Sequence, residues 1–330
     1  MEVELIRIRN LKTWFFQGRG LLSKWFGQGL KIVHAVDGVS LAIRKGHTFG
    51  LVGESGCGKS TLGNTIFRLV EPVEGEILFQ GRDVVKMNQK ELRGFRQQAQ
   101  IIFQDQFGCM NPRMTVGQII AEPLMMRQDE PESQKSIEQE VADLLNSVNL
   151  DPDAAVKFPN EFSGGQARRI GVARAIALNP VFIMADEPTS GLDISTAATI
   201  LNLMQDLQDK LDITYLWVSH NLNQVKYMSD DMGVMYLGKM VEMGRTSEVF
   251  NHKAHPYTQA LISAVPRVST EQQEQTIFLE GEIPSPINPP SGCYFRTRCP
   301  QVFKRCEEEE PPLLDLGGGH FCACHLHNNN

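Results

Sequence analysis

The stretch GLVGESGCGKST, at residues 50–61, constrains this chain more than any other. Gly53 is followed by four residues and then by Gly58-Lys59-Ser60, between the apolar run TFGLV and the helix-like STLGNTIFRLV. A strand that turns through a glycine-rich loop into a helix aims backbone N–H groups at one point. The positive end of the helix dipole adds to the potential there, and the combination suits phosphate oxygens. In such a loop Lys59 neutralises β- and γ-phosphates and the Ser60 hydroxyl ligates Mg²⁺. Gly53, Glu54, Ser55, Gly56, Cys57, Gly58, Lys59, Ser60 and Thr61 are therefore candidate phosphate-binding residues.

A strand–loop–helix of this kind needs a parallel sheet around it, and the chain supplies one. Apolar runs VFIMAD (181–186) and TYLWVSH (214–220) alternate with helix-patterned GGQARRIGVARAIAL (164–178) and AATILNLMQDLQDKL (197–211). Continuous apolar strands between amphipathic helices are what a sheet covered on both faces requires. A more helical stretch containing SQKSIEQEVADLLNSVNL interrupts the alternation, so the expected core is α/β with an inserted helical subdomain at about residues 105–165. Residues 1–50 read as short strands, separated by the aromatic and basic insertion WFFQGRGLLSKWFGQG. Such an insertion packs back on the domain as a loop or touches nucleotide or a membrane surface.

With 330 residues and 42% apolar content the chain can bury a substantial core, in about two domains. A net charge of -7 argues against wholesale nucleic-acid binding. The opening MEVELIRIRN carries no apolar signal-peptide core, and no run of eighteen or more apolar residues appears. The expectation is a cytosolic chain with reduced thiols, which together with an odd count of seven cysteines counts against a disulfide framework.

A second set of chemistry-bearing residues lies further along. Asp186 ends a predicted buried strand beside Glu187, so one carboxylate can serve the Mg²⁺ shell and its neighbour can accept a proton from attacking water. His220 ends the next apolar run, at the edge where open α/β sheets collect ligands. Gln104 follows AQIIF, where the helical insertion begins.

At FSGGQARRIGVARAIALNP the sequence resembles the ATP-binding cassette (ABC) ATPases, whose signature Ser163-Gly164-Gly165-Gln166 matches. Phosphate loop, glutamine loop, signature, Asp-Glu pair, D-loop Asp193 and switch His220 follow in that family's order over about residues 1–250. The resemblance implies a RecA-like parallel sheet with an antiparallel β subdomain. It also implies two such domains head to tail, with each ATP facing the partner's signature. Glu187 and His220 would be catalytic, Glu187 polarising the water and His220 holding the γ-phosphate in line. Gln104, Ser60 and Asp186 would serve Mg²⁺, and Phe15 would stack on adenine, with Trp14 and Phe16 close by. AVDGVS, NPRMTVGQIIAEPL, HPYTQALISAVPR and GEIPSPINPPSGCYF narrow the likeness to ATP-binding subunits of oligopeptide/dipeptide importers. That group implies a second ATPase subunit, of paralogous type, and two membrane permeases fed by an external solute-binding protein. The chain would then sit at the cytoplasmic face of the membrane. The same group also carries oligosaccharides or nickel, and a soluble ABC ATPase with a non-transport role is the alternative class. Gln106, Ala167, Gly191 and Asn221 depart from the commoner residues and put the fine geometry of the glutamine loop in doubt.

Beyond residue 250 an extension to residue 330 turns Pro- and Gly-rich and then carries GCYFRTRCPQVFKRC. Cys293, Cys299, Cys306 and Cys324, with Cys322 as an extra, leave three readings: an iron–sulfur cluster, zinc or free thiols. The spacing is wide for zinc and matches neither common ferredoxin pattern. Related importer ATPases with such a tail imply a 4Fe-4S cluster that pins the tail.

Overall fold

The computed structural model describes residues 3–17, 31–127, 134–265 and 276–328. Strands β1 (Glu4–Gln17), β2 (Lys31–Arg44) and β3 (Thr48–Val52) lead into helix α1 (Lys59–Ile66). Then come β4 (Glu74–Phe79), β5 (Arg82–Asp83), α2 (Gln89–Gln98), β6 (Ala99–Ile102), α3 (Gln106–Cys109), α4 (Val116–Met125) and α5 (Gln134–Ser147). Next follow α6 (Gly164–Ile176), β7 (Phe182–Asp186), α7 (Ile194–Leu211), β8 (Thr214–Val218), α8 (Leu222–Met228), β9 (Asp231–Tyr236) and β10 (Lys239–Arg245). The chain closes with α9 (Thr246–Asn251), α10 (Pro256–Ser263), α11 (Arg305–Glu308), β11 (Leu314–Asp315) and β12 (Phe321–Cys322). It divides into two compact units, Met1–Lys86 with Val218–Asn330, and Met87–Trp217.

In the first unit an antiparallel sheet has the order β2-β1-β4-β5, and a second set of strands runs β11-β12-β10-β9-β3. The predicted short opening strands are two long ones. β1 and β2 pair from Glu4↔Arg44 to Gln17↔Lys31, with register shifts near Leu11 and Trp14 that bend the ribbon. Trp14, Phe15 and Phe16 of the aromatic insertion thus continue β1, while its residues 18–29 lie outside those described. Every residue of β3 is buried, as a strand with neighbours and both faces covered must be.

The C-terminal extension belongs to this first unit. β12 pairs antiparallel with β10, and β11 with β12, which covers an edge that would otherwise offer unpaired backbone. Glu242 of β10 is fully buried and accepts the N–H groups of Ala254 and His255, both at 2.8 Å, while His320 Nε2 stands 2.7 Å away. Burial pushes the Glu242 carboxyl up, but bonds from His320, Thr258 and the two amides hold it below the usual range. His255, fully buried, accepts the Tyr257 N–H through Nδ1 at 3.0 Å and so caps α10.

In the second unit β8, β7 and β6 lie side by side, and β6 and β7 run parallel in the register Ala99↔Phe182 to Ile102↔Ala185. Trp217 and Tyr215 of β8 are fully buried, the Tyr215 hydroxyl donating to the Met204 carbonyl at 3.2 Å. Thr115 with Gln118 and Ser163 with Gln166 form capping boxes at the starts of α4 and α6.

Burial pulls the His255 imidazole down to about 4, with His327 adding to the effect against the Glu242 charge. The folded protein therefore binds this proton less readily than the unfolded chain, whose value is 6.5. Stability falls as pH drops from 6.5 toward 4, by about 2 kcal/mol between pH 7 and pH 5 for this group. His255→Gln keeps an acceptor for the Tyr257 amide and is expected to flatten that part of the acid loss, read by urea unfolding at the two pH values.

Candidate nucleotide site

The phosphate loop leaves β3 at Gly53, beside β9 in the parallel register Val52↔Val234. That register sets the Gly53 α-carbon against the next backbone: a Cβ there would lie 2.3 Å from the Met235 carbonyl oxygen. At Gly58, with φ 109, a Cβ would lie 2.1 Å from the Ala35 carbonyl oxygen. Only glycine fits either position. Gly58 is the N-cap of α1, and Lys59 is buried, folded over the loop with Nζ donating to the carbonyls of Gly53 (2.8 Å) and Glu54 (3.0 Å). Cys57 is buried beneath the loop and burial raises its thiol above the ordinary range, so it packs rather than reacts. In the same unit the Ser219 amide bonds the Leu51 carbonyl at 3.1 Å, which brings the neighbouring His220 to the edge where the loop leaves β3. Asn221, in place of the commoner Asp, caps α8 through bonds from the Asn223 and Gln224 amides. Phe15 on β1 is exposed, whereas the Trp14 ring packs on His34 with centroids 4.7 Å apart.

In the second unit the parallel register of β6 and β7, carried two residues past Ile102↔Ala185, aligns Gln104 with Glu187. Gln104 Nε2 donates to Glu187 Oε2 at 3.1 Å. Glu187 has φ 45, a left-handed backbone for a non-glycine residue, and its carbonyl closes the following turn onto the Ser190 amide at 3.0 Å. Asp186 ends β7 beside it. Ser163 is the N-cap of α6: its hydroxyl accepts the Gln166 N–H, and Gln166 returns its side-chain oxygen to the Ser163 N–H at 2.9 Å. Gly164 and Gly165 open that helix, and a Cβ on Gly165 would come within 2.5 Å of Thr196 Cγ2. Asp193 caps α7, and bonds from Ser195 and then Thr196 hold its carboxyl below the usual range. Gln106, the odd residue of the glutamine loop, is buried, with Nε2 donating to the Phe103 carbonyl and its amide filling the space over Gly171.

The tail holds Cys293, Cys299, Cys306 and Cys324 within electrostatic reach of one another. Burial pushes the Cys293 and Cys324 thiols up to about 11 and raises Cys299 as well. Against that, Cys293, Cys299 and Cys324 accept N–H bonds from Phe295, Gln301 and Leu326, each two residues further on. Donors aimed at sulfur favour thiolate, the form that ligates metal. Cys322 is fully buried; burial chiefly, then the charges of Glu242, Cys324 and Cys293, raises its thiol. Among the described residues no group of three or more His, Cys, Asp or Glu is gathered so as to hold a metal ion.

Two arginines escaped the sequence reading. Arg168 of α6 donates to the carbonyls of Phe103 (3.3 Å), Gln104 and Ser190 (2.9 Å), tying the signature helix to the glutamine loop and to the turn after Glu187. The basic pair Arg168-Arg169, one residue past the signature, was the available signal. Arg298, from between the cysteines, pairs with Glu54 of the phosphate loop at 2.7 and 3.0 Å. Nothing local marks that contact, because 244 residues separate the partners.

The strand–loop–helix with Lys59, and the Asp-Glu pair at the end of β7, define a P-loop nucleotide-binding protein. The ABC transporter family matches residues 36–190, and the oligopeptide/dipeptide transporter C-terminal region matches residues 241–306. The chain is 46% identical to the oligopeptide transport ATP-binding protein AppF of Bacillus subtilis, over 98% of both chains. It is also 46% identical to the oligopeptide transport ATP-binding protein OppF of Escherichia coli, over 97% of this chain and 95% of that one. A dimeric structure of the ATP-binding cassette MJ0796 in a post-hydrolysis state with ADP and Pi is similar at TM-score 0.64 and 27% identity, covering 73% of this chain and 98% of that chain. The chain belongs to the ABC transporter ATP-binding proteins, in their oligopeptide/dipeptide group.

Replacing Arg168 with Met leaves the carbonyls of Gln104 and Ser190 without their donor in a half-buried setting. It is expected to lower the stability of the chain by about 2 kcal/mol, the cost of unsatisfied buried groups, in urea unfolding. Arg168→Lys, which retains charge but not the fork, is expected to recover part of that loss.

Proposed function

We propose that this chain is the ATP-hydrolysing subunit of a peptide importer, working at the cytoplasmic face of the cell membrane. The observation that carries the reading is the complete phosphate loop joined, in one chain, to the oligopeptide/dipeptide C-terminal region. Lys59, now bonded to the loop's own carbonyls, exchanges them for the β- and γ-phosphate oxygens of ATP. Amides of the loop other than those of Glu54 and Cys57, with the start of α1, surround the remaining phosphate charge. Glu187 accepts the proton of the attacking water, oriented by its bond to Gln104, and His220 holds the γ-phosphate. Ser60, Gln104 and Asp186 carry the oxygen donors for Mg²⁺, which supplies positive charge to the phosphates.

Ser163, Gly164, Gly165 and Gln166 open a capped helix and meet the ATP held by a second ATPase subunit of paralogous type, with Asp193 at the same junction. The dimeric cassette to which the chain is similar supports that assembly. Met125, Met126, Val156 and Phe158 of the second unit are exposed apolar side chains, suited to the cytoplasmic segments of two permeases. Those permeases receive solute from an external binding protein. Among the described residues no helix is long and apolar enough to cross a membrane.

Cys293, Cys299, Cys306 and Cys324 hold a 4Fe-4S cluster in this reading. Four thiols within electrostatic reach of one another, with N–H donors on three of them, support it. Bound there, the cluster would pin the tail in place.

Glu187→Gln is expected to bind ATP yet lose two to four orders of magnitude in turnover, roughly the worth of a general base. Near-normal hydrolysis by that variant in the assembled transporter would overturn the assignment. Protein purified without oxygen is expected to show a broad band in the visible and about four irons per chain. Cys324→Ser should abolish both, and Cys322→Ser should leave them.

A further inference from the structure

We propose that Arg298, on the cysteine-bearing tail, is a positioning residue for the phosphate loop, acting through Glu54 to set how tightly the loop holds nucleotide. The proposal rests on the reading of residues 53–61 as the ATP site. All three polar parts of Glu54 are engaged. Its N–H donates to the Tyr257 hydroxyl at 2.9 Å, its carbonyl accepts from Lys59 at 3.0 Å, and its carboxylate receives both ends of the Arg298 guanidinium. Two of the three partners, Tyr257 and Arg298, come from beyond residue 250.

The arrangement has an electrostatic purpose. A carboxylate one residue after Gly53 lies on the loop that would hold a polyanionic triphosphate, and unpaired it opposes that binding. Arg298 cancels the charge in a fork-to-fork pair, whose two parallel bonds also fix direction. Its side chain is only 7% exposed and that of Glu54 25%, so the pair is less screened than a surface ion pair. The Glu54 carboxylate is the first cause of the rise of the Arg298 guanidinium above its ordinary range.

Arg298 is itself held from behind. Its guanidinium stands 5.9 Å from the Tyr236 ring centroid, and its amide donates to the Phe295 carbonyl at 3.0 Å. Phe295, fully buried, packs edge-on to Tyr236 at 5.2 Å and tilted to Tyr257 at 5.4 Å. The next residue, Cys299, belongs to the four-thiol group. Tyr257, Phe295 and Arg298 thus form one packed block behind the loop, and the tail acts as its brace.

The test uses the full-length chain, purified without oxygen, and measures MgATP affinity by equilibrium dialysis together with the thermal midpoint. R298Q is expected to bind MgATP about tenfold more weakly, the scale of a lost charge-assisted bond. R298K, with charge but no fork, is expected to fall about threefold. The double variant E54Q/R298Q is expected to return to within about threefold of E54Q, because the opposing carboxylate is gone. An R298Q protein with wild-type affinity and a lowered thermal midpoint would make Arg298 a mere staple and overturn the proposal. So would a double variant as weak as R298Q. If R298Q does not fold, R298K with wild-type affinity overturns it. A wild-type chain that fails to bind MgATP would instead sink the reading of residues 53–61.

Discussion

The phosphate loop lies between two other stretches of backbone at distances that exclude any side chain. Gly53 passes the Met235 carbonyl and Gly58 passes the Ala35 carbonyl, each closer than a Cβ tolerates. Those approaches exist because β3 runs parallel to β9 in a fixed register and because β2 passes over the loop. The loop has its shape because the strands around it leave no other, and a backbone fixed in advance loses little freedom when a charged ligand binds.

A second register sets the contact between Gln104 and Glu187. With Ile102 opposite Ala185, the chain two residues on brings Gln104 to Glu187. A slip of one residue would break that alignment and turn each side chain to the opposite face. Arg168 then secures the loops after both strands by their carbonyls, so the signature helix, the glutamine loop and the turn after Glu187 share one donor. The unusual Gln106 disturbs none of this, since its amide is satisfied by Phe103 and lies in the space that Gly171 leaves open.

The tail is more than a polar appendage. Strands β11 and β12 complete an edge, Glu242 gathers two amides and His320 in a buried site, and an aromatic block reaches the phosphate loop. Its four thiols lie in the same folded segment as Arg298, so whatever fixes the cysteines also fixes the residue that neutralises Glu54.

What the sequence determined by itself was everything governed by neighbours along the chain. The glycines of the phosphate loop, the Ser163–Gln166 capping box, the Asp193 cap and the acidic pair after an apolar strand all depend on residues within about one helical turn, where local geometry leaves few choices. The α/β class followed from the alternation of apolar runs with amphipathic helices. The tertiary structure alone decided the pairs joined by folding. It lengthened the opening strands, because β pairing and not local pattern sets where a strand ends. It put Cys322 on β12, paired with β10, because strand pairing of the tail is a long-range event that cysteine spacing does not encode. It set Arg298 on Glu54 across 244 residues, a contact that no local spacing encodes because it arises only when the tail packs behind the loop.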